Sequence, residues 1–168
     1  MTINNYFKHK PVWITLAAAI AVMAAIFFFS SQTKDESSDT SGVIVDLYID
    51  LFVPDFDEMT ADAQNAVLKN LSHTIRKLAH FTEYAVLGFV LTLHIHELKD
   101  KLNARLNKLW SVIIGVLYAA SDEFHQYFVP GRSMQLKDIT IDSAGILTGF
   151  VIISCIMATL RNKGKKTC

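Results

Sequence analysis

Acidic, basic and imidazole side chains crowd one stretch of the sequence, Tyr118 to Gly149, YAASDEFHQYFVPGRSMQLKDITIDSAGILTG. Asp122, Glu123, His125 and Gln126 close one apolar run. Pro130-Gly131 turn the chain, Arg132 follows, and Asp138 and Asp142 head a second apolar run. Upstream, Lys77, His80, Glu83 and Tyr84 open another such run. These residue types suit three chemistries. Lysine and arginine engage phosphate or carboxylate, arginine in a bidentate manner. Four carboxylates (Asp122, Glu123, Asp138, Asp142) can hold a divalent cation through oxygen, with His80 or His125 as general base. A chain of buried acids can also relay protons.

The chain has 168 residues, 51% hydrophobic and 19% charged, a length that suits a single domain. Its apolar residues fall in four long runs, at about 12–30, 78–96, 109–129 and 139–160. Runs of this length cross a bilayer as helices. The spacing therefore predicts an all-α polytopic membrane protein with four transmembrane helices. The basic start NNYFKHK before an apolar run also fits a signal peptide. This run is longer than a typical signal core, which favours a retained first span. Between the first two spans the chain is polar and acidic through TKDESSDTSG. It then reads VIVDLYIDLF (43–52), where Asp46 and Asp50 share one helical face, as in an amphipathic segment lying on a membrane surface. Pro54 ends it. A further helix is expected to start near Asp57 to Thr60, carrying Ala63, Val67, Leu71, Ile75 and Leu78 at helical spacing and able to continue into the second apolar run.

Lysine and arginine in short loops favour the cytoplasmic side. With four spans, ten such residues gather on the side of the termini (Lys8, Lys10, Lys99, Lys101, Arg105, Lys108, Arg161, Lys163, Lys165, Lys166) and six on the other. Both termini are then cytoplasmic, Trp13 and Trp110 fall at the inner interface, and the 35–72 loop is extracytoplasmic. This topology brings Ser30-Ser31-Gln32, the start of the second span, the end of the third and the start of the fourth to one membrane depth. The inner halves are expected to be nearly empty of ionisable groups.

Spacing agrees with a joint site. Tyr118, Asp122 and Gln126 lie four apart on one face. Lys77, His80 and Tyr84 step by three and four. Asp138, Asp142, Gly145 and Gly149 continue one face, with glycines that let another helix approach closely. Taken singly, Glu83, Lys137 and His94 read as headgroup or packing residues, and Tyr84, Tyr118 and Tyr127 read equally as interfacial anchors. Zero formal net charge gives no signal for nucleic acid, and two cysteines, Cys155 and Cys168, suggest neither a disulfide framework nor a zinc site.

Four motifs carry a resemblance to the VanZ-like family of bacterial integral membrane proteins. They are FSSQ (29–32), K-x-x-H-F-x-x-Y (77–84), DEFHQYFVPGR (122–132) and D-x-x-x-D-x-x-G-x-x-x-G (138–149). Members often carry asparagine where Asp142 stands. The resemblance implies an envelope function, since the family takes its name from a member associated with teicoplanin-type glycopeptide resistance. Together the residues and the resemblance lead to a non-enzymatic site for a lipid-linked or amphiphilic ligand. It is formed by Lys77, His80, Tyr84, Asp122, Glu123, Gln126, Arg132, Asp138 and Asp142, with no cofactor and no metal. Expected partners are membrane lipid and a lipid-linked cell-wall precursor or an amphiphilic antibiotic; the pattern carries no signal for an oligomeric state. The alternative is an enzyme acting on a lipid phosphate or polyprenyl carrier with a divalent cation, and the third reading is a small transporter or ion-coupled channel with the buried acids as a proton relay.

Overall fold

A computed structural model describes residues 12–102 and 108–166. Five α-helices build it: α1 (Val12–Ser30), α2 (Lys34–Phe52), α3 (Ala61–Leu102), α4 (Leu109–Gln126) and α5 (Leu136–Lys166), with a short 3-10 turn at Phe56–Glu58. No strand occurs among the described residues. The basic residues Lys8, Lys10 and Arg105 and the C-terminal Cys168, which entered the orientation and cysteine arguments, lie outside the described residues.

Among the described residues three helices hold segments long and apolar enough to cross a membrane: Val12–Ser30, Ala61–Leu98 and Leu136–Lys163. The third expected span forms a helix that ends at Gln126, three residues early, and it is not among these three. Asp122, Glu123, His125 and Gln126 in its last two turns lower its apolar content.

The stretch from Lys34 to Gly42, read above as loop, is helical. Thr33 explains why: its hydroxyl accepts from the Glu36 amide at 3.3 Å, while the Glu36 carboxylate accepts from the Thr33 amide at 2.8 Å. This reciprocal capping box satisfies donors that a helix start otherwise leaves unpaired. The amphipathic segment is also more than a surface float. Ser41, Val45 and Ile49 are buried, and α2 packs against α3 along that stripe. Val43, Ile44, Leu47, Leu51 and Phe52 remain exposed.

Helix α3 runs unbroken for 42 residues through both the predicted extracytoplasmic helix and the second apolar run. Thr60 caps its start, with its backbone oxygen taking the Gln64 amide at 3.0 Å. Its partner is chiefly α5, and glycines set the approach. A Cβ on Gly145 would strike the Phe81 carbonyl oxygen, one on Gly149 the Ala85 carbonyl oxygen, and one on Gly88 of α3 the Ile146 carbonyl oxygen. Small residues at a helix contact allow backbones this near, and dispersion then acts over many atoms.

Helices α1, α3, α4 and α5 alternate in direction. At one end Thr15 of α1 meets Glu97 of α3, and Thr92 meets Ser111 of α4; at the other, Ser30 meets Asp122 and Lys77 meets Asp138. The shared core is Ala19, Ile26, Tyr84, Leu87, Leu91, Ala119 and Ile146. Large apolar side chains point outward instead, among them Trp13, Ile20, Phe28, Leu117, Phe124 and Val151. Acids are buried while aromatic and aliphatic groups are exposed. That inversion is what a hydrocarbon solvent selects.

Candidate functional site

The end of the bundle that carries Ser30, Asp122 and Asp138 holds a cavity of about 640 Å³. This falls in the range of about 300–1,000 Å³ usual for small-molecule sites. Four elements and one turn contribute its wall: Lys34 and Ser38 from α2, a face of α3, Gln126 of α4, Asp138, Ile141 and Asp142 of α5, and Gly131, Arg132, Ser133 and Gln135 of the turn. The turn is fixed by Gly131, whose φ of 76° lies in the left-handed region that glycine enters without strain, and by the Arg132 amide on the Val129 carbonyl at 3.1 Å. Lys34 Cβ lies close against Gly131, which seats the head of α2 on the turn.

The structure sorts the sequence-derived residues into two layers. Lys77, His80, Gln126, Arg132, Asp138 and Asp142 line the cavity; Tyr84, Asp122 and Glu123 are buried behind it. The second layer is a hydrogen-bond network that fixes the first. Ser30 donates to Asp122 Oδ2 at 2.7 Å, and Gln126 Nε2 donates to the same oxygen at 3.1 Å. Gln126 Oε1 then accepts from Arg132 Nη1 at 3.2 Å, while Arg132 Nη2 reaches the Phe29 carbonyl at 3.3 Å. Glu123 takes the backbone amide of Gln135 at 3.0 Å, tying the turn to α4. Lys77 pairs with Asp138 at 2.7 Å. Ser31 meets His125 Nε2 at 3.2 Å, with that ring stacked on Phe27. Tyr118 is spent elsewhere, donating to the Met23 carbonyl at 2.7 Å.

Three features were not read from the sequence. The first is a basic face on the outer part of α3. Lys69, His73, Arg76 and His80 recur at helical spacing, and all four line the cavity. With Lys34, Lys77 and Arg132 they set five permanent cations against the two acids Asp138 and Asp142. The spacing was visible in the sequence, but Lys69 and Arg76 lie before the apolar run and entered only the count of loop charges.

The second is the state of the carboxylates. Asp142 is 1% exposed, lines the cavity, and has neither side-chain oxygen in a hydrogen bond. His80 Nδ1 is likewise buried and unbonded, 4.0 Å from Glu83. Asp122, Glu123 and Asp138 are instead engaged one by one, as above. Among the described residues no three or more His, Cys, Asp or Glu side chains converge as a metal cage. The four-carboxylate cation site of the enzyme alternative is therefore not assembled.

The third lies at the opposite end of the bundle, where ionisable groups were expected to be almost absent. Glu97 is buried there and accepts from Thr15 at 2.8 Å, and Thr15 also meets His94 Nδ1 at 3.0 Å. Glu97 falls directly after the second apolar run and just before a basic stretch, so it read as loop; the extra turns of α3 carry it into the bundle.

A helical protein with inverted polarity, three membrane-length apolar segments and a polar site at one end is a membrane protein. The profile of the VanZ/LLP1 family matches residues 15–158, most of the chain, and the protein belongs to that family. Neither the curated proteins nor the solved structures compared with it gave a match.

Proposed function

We propose that this is a multi-pass protein of the cell membrane that binds the anionic part of a lipid-linked or amphiphilic ligand in an outward-facing cavity. The observation that carries the reading is the cavity's charge: Lys34, Lys69, Arg76, Lys77 and Arg132 against Asp138 and Asp142. Cations held at a half-enclosed wall attract phosphate or carboxylate far better than they would in open water.

In this reading α4 also crosses the membrane, as the third of four spans. Its 18 residues rise about 27 Å, close to the hydrocarbon thickness of about 30 Å, and its acids face the bundle rather than lipid. Both termini are cytoplasmic. The exposed Trp13 and Trp110 then sit together at the inner interface, and the capped helix α2 lies on the outer side with its exposed apolar residues toward the headgroup region. Membership of the VanZ/LLP1 family favours an envelope role linked to glycopeptide resistance of the teicoplanin type, with a lipid-linked cell-wall precursor or the amphiphilic drug as ligand.

The test is complementation. A deletion strain carrying the wild-type gene is expected to regain its teicoplanin susceptibility profile, and one carrying Arg132→Ala at equal membrane abundance is not. Full complementation by Arg132→Ala would remove the cavity from the function.

A further inference from the structure

Arg76 and Arg132 enter the cavity from different elements, one from the basic face of α3 and the other from the turn between α4 and α5. They are near enough to oppose each other. Burial, and then Arg76, disfavour the charged form of Arg132, with Asp122, Glu123 and Glu83 acting in the other direction. The Arg132 hydrogen bonds go to neutral acceptors, Gln126 Oε1 and the Phe29 carbonyl. Arg76 forms no ion pair among the described residues. Of the two carboxylates that line the cavity, Asp138 is taken by Lys77 at 2.7 Å. Two arginines lining one cavity from different elements suit one tetrahedral oxyanion, whose separate oxygens can satisfy both forks.

Asp142 supplies the second, independent constraint. It lines the same cavity at 1% exposure with both oxygens unbonded. A buried carboxylate without donors is costly, and a bare anion placed nearby would worsen it. The group that suits Asp142 is a hydroxyl or an ammonium. The basic pair and the donor-seeking acid therefore ask for opposite ends of one headgroup.

The geometry points to a phosphate ester whose second substituent carries a hydroxyl or ammonium, the phosphate held between Arg76 and Arg132 and the donor held by Asp142. The inference rests on the cavity being a binding site, as proposed above, and narrows its ligand class. It also makes Arg76 a ligand-binding residue.

The test uses the full chain in maltoside micelles, with binding followed by native mass spectrometry. The probes are lysophosphatidylglycerol and lysophosphatidylethanolamine, which carry phosphate and a donor on the headgroup; lysophosphatidylcholine, which shares their glycerol hydroxyl but has no donor on its headgroup; laurate, a carboxylate amphiphile; and soluble glycerol 3-phosphate. The two donor-bearing lipids are expected to bind about tenfold more tightly than lysophosphatidylcholine and laurate. Arg76→Ala should weaken them about tenfold, and Asp142→Ala should erase their margin over lysophosphatidylcholine. Asp142→Asn, which keeps the shape and one acceptor oxygen, guards against a folding defect and should retain part of that margin. Glycerol 3-phosphate binding as tightly as the lipids would uphold the phosphate-ester site with a soluble source. Equal affinity for lysophosphatidylcholine and the donor-bearing lipids, or no effect of Arg76→Ala, overturns the inference. If laurate and lysophosphatidylcholine still bind and Arg132→Ala abolishes that binding, the proposed function stands. If no probe binds, both fall.

Discussion

Gly149→Ala should break the contact that aligns α5 with α3. The added methyl would fall on the Ala85 carbonyl oxygen, 2.6 Å from the Phe89 amide nitrogen and 2.9 Å from the Ala85 carbonyl carbon. Ordinary contact begins at 3.4 Å, so the Phe89 nitrogen alone demands about 0.8 Å of separation (3.4 less 2.6). All three obstructing atoms belong to the α3 backbone, and no rotamer change moves them. Overpacking of this kind costs about 1–3 kcal/mol. For a chain of this length that is a fall of about 3–10 °C in melting temperature. Two internal comparisons set the scale. At Gly115 the new methyl meets the Ile146 side chain, Cδ1 at 2.6 Å, which can turn aside, so Gly115→Ala should cost less. Gly42 in α2 has no atom within 4 Å, and Gly42→Ala should raise stability by up to about 1 kcal/mol through helix propensity. The assay is thermal unfolding of the three detergent-solubilised variants by circular dichroism, with size-exclusion chromatography to check folding. The expected order is Gly42→Ala above wild type, then Gly115→Ala, then Gly149→Ala. A Gly149→Ala protein that melts with wild type would refute the close α3–α5 contact.

Asp122→Ala removes the acceptor shared by Ser30 and Gln126 and should destabilise by about 1–3 kcal/mol in the same melts, with Asp122→Asn milder. A double-mutant cycle on Lys77→Met and Asp138→Asn should give a coupling of about 1 kcal/mol, and additive single effects would mean the pair contributes nothing. At the head of α2, the Glu36 carboxyl is held below its ordinary range first by the Thr33 backbone amide and then by its hydroxyl. A depressed acid contributes above the unfolded value of about 4.3 and loses that contribution as pH falls through the folded one. The protection of amides in the first turn of α2, taken relative to their intrinsic exchange at each pH, should therefore fall under acid, and Thr33→Ala should show the low protection already at neutral pH.

The sequence made the helices legible where a membrane imposes length, and the site legible where costly side chains interrupt apolar runs. Asp122, Gln126, Asp138 and Asp142 stood out because each sits among residues that have no use for a charge. Lys69 and Arg76 did not stand out, because in a polar stretch a cation carries no such contrast. Only the unbroken course of α3 turns their spacing into a face beside Lys77 and His80. Glu97 was hidden for the same reason at the other end. The helical reading of 34–42 was available in Thr33-x-x-Glu36, but a run of serines and acids reads as loop until the cap is noticed. What no pattern could give is which acids are already spent. That Asp138 is paired while Asp142 is not depends on the rotation of α5 against α3.

The length of α3 has a mechanical consequence. Glycine occurs in it once, at Gly88, where its backbone lies against Ile146, and proline not at all. At about 1.5 Å per residue, Arg76 stands about 18 Å to one side of that contact and Glu97 about 14 Å to the other. The helix is thus a lever with its fulcrum at a glycine contact with α5. A rock of about 5° there swings Arg76 by about 1.6 Å and Glu97 by about 1.2 Å in the opposite sense, at the helical rise of about 1.5 Å per residue. The second displacement is enough to part Glu97 from Thr15, now 2.8 Å apart. For a rigid rod, a shift of Arg76 at one face of the bundle and a shift of the buried Glu97 at the other are the same movement.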